Sequence, residues 1–304
     1  MKIIITGATG FIGKALCQTL MGSYEVYALS RNPQLAQVSL GSQIRVMQWD
    51  GYNLGQWTEQ LEGAFCVINL AGENIASGRW TKRKKHKILQ SRIQTTQAIV
   101  KAILNAKEKP KVLIQASAIG FYGSRGVIEA DENTRQGEGF LAQTCVKWEQ
   151  QIEPLTDTAV RCIKLRTATV LGKQGGMLKK MLKLFHFYLG GHIGSGEQFL
   201  SWISIDDFCE AVRFLIEKNN CRGAFNLTSP EPVKMKDFCR VLGDVLNRPS
   251  RIYLPVWAAK LIYAEMAEEI LLASYRITPK RLQDEGFEFR NTELKETLSL
   301  ILKG

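Results

Sequence analysis

The strongest constraint on what this chain can fold into lies in its first thirteen residues, MKIIITGATGFIG. Residues 3–5 are an apolar run of strand length. Gly7, Gly10 and Gly13 follow, and then a helical pattern through Leu16 and Leu20. Strand, glycine turn and helix, in that order, set a helix N-terminus against a pyrophosphate, where unpaired amides and the helix dipole favour negative charge. The three glycines serve different ends. Gly7 permits the sharp turn, Gly10 lets backbone approach the phosphates, and Gly13 lets helix and strand pack closely. Ala8 stands where the first glycine of G-x-G-x-x-G would be, so the spacing is G-x-x-G-x-x-G. A glycine-rich turn can exist without a ligand. Its position between a strand and a helix points to a dinucleotide site instead.

The next strand, residues 25–29, ends in Ser30-Arg31-Asn32-Pro33. An NAD site usually places an acid about 20 residues past the glycines, on the ribose hydroxyls. No acid occupies positions 28–33. Arg31 offers a guanidinium fork for a 2′-phosphate and Ser30 a hydroxyl, so the expected cofactor is NADP(H). A third strand over 44–48 leads to Asp50, placed either to meet an adenine amino group or to cap the following turn. A fourth, over 65–70, ends in Leu70-Ala71-Gly72, small enough for close passage of a flat ligand.

A helical pattern over 81–105, strands over 112–117 and 160–166, and helical stretches between them predict an α/β fold. Its core is a doubly wound parallel sheet covered on both faces. Further on, the pattern predicts a helix over 177–189, a glycine-rich flexible loop over 190–196, a helix over 204–218 and a short strand over 224–227. Five prolines then punctuate a mostly helical tail. The expected division is a dinucleotide-binding domain over 1–225 and a small region over 226–304 that forms part of the substrate cleft.

Composition excludes more than it selects. Of 304 residues, 45% are apolar and 23% charged, as in an ordinary globular protein. No apolar run approaches the ~20 residues of a membrane span, so no membrane partner is expected. The chain starts directly on a strand with no cleavage region. Seven scattered cysteines form no C-x-x-C pair. A cytoplasmic protein with reduced thiols and no metal is therefore expected. The net charge of +11 peaks at Lys82-Arg83-Lys84-Lys85-His86-Lys87. Without interleaved aromatics or a helix-turn-helix pattern, that run reads as a solvated helix face and not as a nucleic-acid site.

Several segments together resemble the extended short-chain dehydrogenase/reductases, and more narrowly their atypical, epimerase-like subfamily. They are GATGFIG, the SRNP turn, NLAGENI, SRIQTTQ, ASAIGFYG, LRTATVLG and GSGEQFLSWISIDD. The tail resembles that subfamily's C-terminal domain of uncharacterised function. The resemblance covers nearly the whole chain. It implies NADP(H)-dependent oxidoreductases or sugar-nucleotide epimerases acting on small molecules, often as homodimers; some bacterial members are described as cell-division inhibitors. It also implies cofactor contacts at Thr9, Gly10, Phe11, Ile12, Ser30, Arg31, Leu70 and Ala71, and at the basic residues Lys87 and Arg92.

The catalytic pattern of that family is broken here. Its enzymes use Tyr-x-x-x-Lys on one helix face, the lysine lowering the tyrosine pKa so that the phenolate takes a proton from a substrate hydroxyl. None of the eight tyrosines has a lysine four residues on. Counting back from Glu149 in FLAQTCVKWE, the lysine position is Cys145 and the tyrosine position Leu141. The serine position falls on Ala118, with Ser117 one residue early. Tyr122, in the loop after the fifth strand, is the best candidate for a replacement proton donor, the alternative being a packing aromatic. Ser117 either hydrogen-bonds a carbonyl or the nicotinamide amide or merely ends the strand. Arg166, Gln198 and Trp202, with Lys147, Ser201 and Ser204, are candidates for the substrate wall. Two functions follow: an NADP(H)-dependent oxidoreductase or epimerase-like enzyme with an atypical active site, or a non-catalytic NADPH-binding regulatory protein.

Overall fold

The computed structural model describes residues 1–303. Seven parallel strands form the central sheet: β1 (Lys2–Thr6), β2 (Glu25–Ser30), β3 (Arg45–Gln48), β4 (Cys66–Asn69), β5 (Val112–Ala118), β6 (Arg161–Thr167) and β7 (Gly223–Leu227). Their spatial order is β7-β6-β5-β4-β1-β2-β3. The order reverses between β1 and β4, and a doubly wound sheet opens a crevice at that switch point beyond the carboxyl ends of its strands.

The strands are buried on both sides because both faces are apolar at alternate positions. Ile3 and Ile5 face one core, with Leu16 and Cys17 of α1 (Phe11–Leu20) and Phe208 and Val212 of α6 (Ile205–Glu217). Ile4, Val67 and Leu113 face the other, with Trp57 and with Ile99 and Ile103 of α3 (Lys82–Asn105). Local signals start the helices. Asn32 caps α2 (Pro33–Leu40), Thr81 caps α3 and Ser204 caps α6, each accepting a backbone N–H. Two more helices before the tail are α4 (Phe140–Gln150) and α5 (Gly176–His186).

The tail carries α7 (Met235–Leu246), α8 (Val256–Tyr263), α9 (Lys280–Asp284) and α10 (Leu294–Lys303). Helices α5, α7 and α10 enclose a separate core around Trp202 and Phe238. The tail is laced to the earlier chain by short strand pairs: Phe199 with Lys234, Arg276 with Glu129, and Ile252 with Gly191. The last pairing corrects the expected loop, since residues 191–193 are a strand whose partner lies some sixty residues on. Among the described residues no helix is long and apolar enough to cross a membrane, and no cluster of ligating side chains could hold a metal.

Candidate functional site

At the switch point the glycine loop has the geometry its spacing predicts. Gly7 lies at φ +70, and a Cβ there would sit 2.9 Å from the backbone of Leu70, where β4 passes the loop. A Cβ on Gly13 would sit 2.3 Å from the carbonyl oxygen of Gly7 and 2.7 Å from Cα of Ala8, so the helix meets the strand end at a distance only glycine permits. Gly10 caps α1 in extended backbone without a side-chain cap, and the first turn holds no acid. The amides of that turn have no intrahelical partner and the dipole has no counter-charge, which is how an anion site is built. Thr9 is exposed beside this turn and Ile12 half-buried. The Phe11 ring turns away, into the space a Cβ on Gly172 or Gly175 would fill.

At the end of β2, Ser30 Oγ accepts the amide of Asn32 at 3.2 Å. Arg31 is exposed and makes no hydrogen bond or ion pair within the described residues. Beyond β3, Asp50 caps the turn: it accepts from the amides of Tyr52 at 2.8 Å and Asn53 at 2.9 Å and from Asn53 Nδ2 at 2.7 Å. Those bonds, that from Asn53 foremost, hold its carboxyl below the usual range. Of the two roles open to Asp50, the cap is the one these bonds display.

The switch point is held by a buried polar chain that residue spacing did not reveal. Thr6 Oγ1 donates to Asn69 Oδ1 at 2.7 Å and accepts the amide of Ala71 at 3.2 Å. Asn69 Nδ2 donates to Gln115 at 3.0 Å and to Thr96 at 3.1 Å. This chain fixes Leu70, Ala71 and Gly72 against the glycine loop. Next to them the Arg92 guanidinium lies against Gly72 and 5.0 Å over the Trp148 ring, its Nη1 donating to the carbonyls of Glu73 and Ile88. Lys87 is far more exposed and stands 3.4 Å from Glu73, which Lys84 also holds at 2.6 Å. Arg92 therefore lies against the end of β4, whereas Lys87 stands on the exposed helix surface.

Helix α4 places Leu141 and Cys145 beside Gly120, at the end of β5. Leu141 packs with Trp80, Phe140, Tyr263 and Met266. Burial pushes the Cys145 thiol up to about 11, so it is neutral at physiological pH. The helix has no local cap. Glu269, from the tail, accepts the amides of Phe140 at 2.6 Å and Leu141 at 2.9 Å.

Both candidate catalytic groups are occupied elsewhere. Ser117 Oγ donates to Glu149 Oε1 at 2.6 Å. Arg166 grips the same carboxylate through Nε and Nη2, each at 3.0 Å, and donates through Nη1 to the Tyr122 hydroxyl at 3.0 Å. Tyr122 in turn donates to Asn226 Oδ1 at 2.7 Å. Tyr122 is 0% exposed and burial pushes its phenol up to about 12; Ser117, Glu149 and Arg166 are also buried, at most 6% exposed. This network joins β5, α4, β6 and β7. It takes up the hydroxyls of Tyr122 and Ser117 and pairs the buried Arg166 with Glu149. Trp202 is likewise fully buried, donating to the carbonyl of Glu231 at 3.1 Å. Gln198 donates to the carbonyls of Ile193 and Leu271 and ties the 191–193 strand to the tail.

With this geometry established, likenesses to known proteins can be placed on it. Residues 3–228 match the NAD dependent epimerase/dehydratase family, and residues 254–301 a domain of unknown function, DUF1731. The Arabidopsis thaliana "Epimerase family protein SDR39U1 homolog, chloroplastic" is 34% identical over all of this chain and 87% of its own. A crystal structure of human epimerase family protein SDR39U1 with NADPH superposes over the full length of both chains, with a TM-score of 0.89 at 30% identity. The UDP-glucuronic acid 4-epimerase from Bacillus cereus shares the fold at a TM-score of 0.81 and 19% identity, over 100% of this chain and 98% of its own.

Proposed function

This chain belongs to the NAD dependent epimerase/dehydratase family, and from that premise we propose that it binds NADPH and reduces a small carbonyl compound instead of epimerising a sugar nucleotide. The observation that carries the cofactor choice is Arg31: an exposed, unpaired guanidinium at the end of β2, with no acid nearby to hold ribose hydroxyls. The residues fit the cofactor. The uncapped first turn of α1 would take the pyrophosphate, Ser30 and Arg31 the 2′-phosphate, and Leu70, Ala71 and Arg92 the wall along its length. The human relative crystallised with NADPH supports the same choice. When bound, NADPH supplies a hydride.

The chemistry assigned to the substrate follows from what the chain lacks. Epimerisation through a keto intermediate begins with a base that takes a proton from a sugar hydroxyl. Leu141 has no such group, and a neutral thiol at Cys145 supplies neither base nor the lysine's charge. Reduction of a carbonyl asks less, a proton that water can deliver, and Arg92 supplies a fixed positive charge close to Cys145. The apolar wall around Leu141 suits an apolar carbonyl compound. One observation favours a second reading: both catalytic positions are apolar or neutral, as in a regulatory protein in which NADPH orders the cleft for a partner. NADPH oxidation together with chromatographic analysis of the products, run against a panel of carbonyl compounds and sugar nucleotides, separates these. The proposal predicts turnover of carbonyl compounds alone. Epimerised sugar nucleotide would refute it, and NADPH binding without any turnover would establish the regulatory reading.

A further inference from the structure

Half of the exposed large hydrophobic side chains of this molecule lie on one surface. Of twenty among the described residues, ten fall between 184–189 and 252–262, including Phe187 at 77% exposure, Trp257 at 70% and Leu261 at 68%. The two stretches are joined. Ile252–Leu254 pairs in parallel with Gly191–Ile193, the Arg248 guanidinium lies 4.7 Å over the Tyr188 ring, and a Cβ on Gly194 would sit 3.1 Å from Val256. Helix α8, sequence VWAAKLIY, buries only Ala259 and turns most of its apolar side chains outward. A single hydrophobic residue in water needs no explanation, but ten on one connected surface do.

Charge selects what covers it. Residues 176–194 and 247–263 hold six basic side chains (Lys179, Lys180, Lys183, Arg248, Arg251 and Lys260) and no Asp or Glu. The acid paired with this set is Glu268 at its edge, 2.7 Å from Lys260. A second copy meeting this surface about a two-fold axis would bring the same positive charges face to face. We propose that the surface docks on an anionic lipid bilayer, with α8 and the end of α5 lying in the interface plane. Bulky aliphatic and aromatic side chains then enter the headgroup and acyl boundary, with Trp257, Tyr188 and Tyr253 at the interfacial depth such rings prefer. Lysine and arginine stems lie along apolar surface with their heads toward lipid phosphates. Lying on a membrane requires no spanning helix.

The molecule carries its own reporter, because Trp257 is exposed while the other five tryptophans are at most 6% exposed. The full chain is mixed with phosphatidylcholine vesicles, either pure or containing about 30% phosphatidylglycerol. We expect the anionic vesicles to sediment the protein and shield Trp257 from acrylamide, and pure phosphatidylcholine to bind at least about tenfold more weakly. Trp257→Ala and the pair Lys183→Glu with Arg251→Glu should each lower sedimentation several-fold, with thermal unfolding unchanged because these side chains are exposed. Failure of anionic vesicles to bind, or equal binding by the variants, overturns the proposal. So does a dimer abolished by Trp257→Ala, or retention on immobilised polyglutamate without vesicle binding.

Discussion

Two regions at the carboxyl edge of the same sheet treat their polar groups in opposite ways. Around the glycine loop, the first-turn amides of α1 and the guanidinium of Arg31 are left without a protein partner. Around α4, Ser117, Tyr122, Glu149 and Arg166 are all buried and bonded to one another. A binding site leaves donors free for a ligand, whereas a structural network spends them. A serine and a tyrosine near the ends of the right strands therefore do not make an active site. Their hydroxyls must also be free to reach something.

The sharpest way to break this comparison is to remove the centre of the spent network. Arg166→Met leaves the buried Glu149 carboxylate only the more distant Lys164, 3.7 Å away, and urea unfolding should show a loss of up to about 3–5 kcal/mol. Replacing Glu149 by Leu in the same chain should restore a large part of it. Little or no loss in the single variant would mean that the network is not what holds α4 to the sheet. A smaller effect is expected at the glycine loop. Gly13→Ala pushes a methyl group into the Gly7 carbonyl and should cost about 1–3 kcal/mol while weakening NADPH binding. Unaltered stability would show that helix and strand can part.

Smallest is Tyr122→Phe, which removes one buried hydroxyl and should cost about 1–2 kcal/mol with no change in NADPH turnover. It also has a pH signature. The folded phenol titrates near 12 and the free one near 10, so the folded state holds its proton longer. That stability is fully present below pH 10 and is lost as the pH rises toward 12. The Phe variant should lose this part of the alkaline slope in urea unfolding between those values. Lost turnover in Tyr122→Phe without lost stability would return the residue to catalysis.

What was legible in the sequence was local. Gly7, Gly10 and Gly13, the Thr81 cap of α3 and the missing acid near Arg31 each declare themselves within a few residues, because a turn, a cap or a phosphate site needs adjacent groups. The absences at Leu141 and Cys145 were readable for the same reason. What was not legible is long-range. Glu269 caps α4 from nearly 130 residues away, and Tyr122 reaches Asn226 across more than a hundred. Residues 190–196 resembled a loop because glycine dominates them, while their strand partner lies in the tail. The burial of Trp202 and Arg166 was not legible either, because a strand presents alternate faces and only packing decides which face a side chain takes.

The central claim, that the unpaired end of the sheet is an NADPH site read by Arg31, is tested most directly by calorimetric titration of the chain and of Arg31→Ala with NADPH and with NADH. The native chain should bind NADPH more tightly than NADH. Arg31→Ala should lose about tenfold or more of the NADPH affinity, from one charge-assisted contact, with NADH unaffected. Equal affinity for the two cofactors, or an Arg31→Ala variant that binds NADPH as the native chain does, would contradict it.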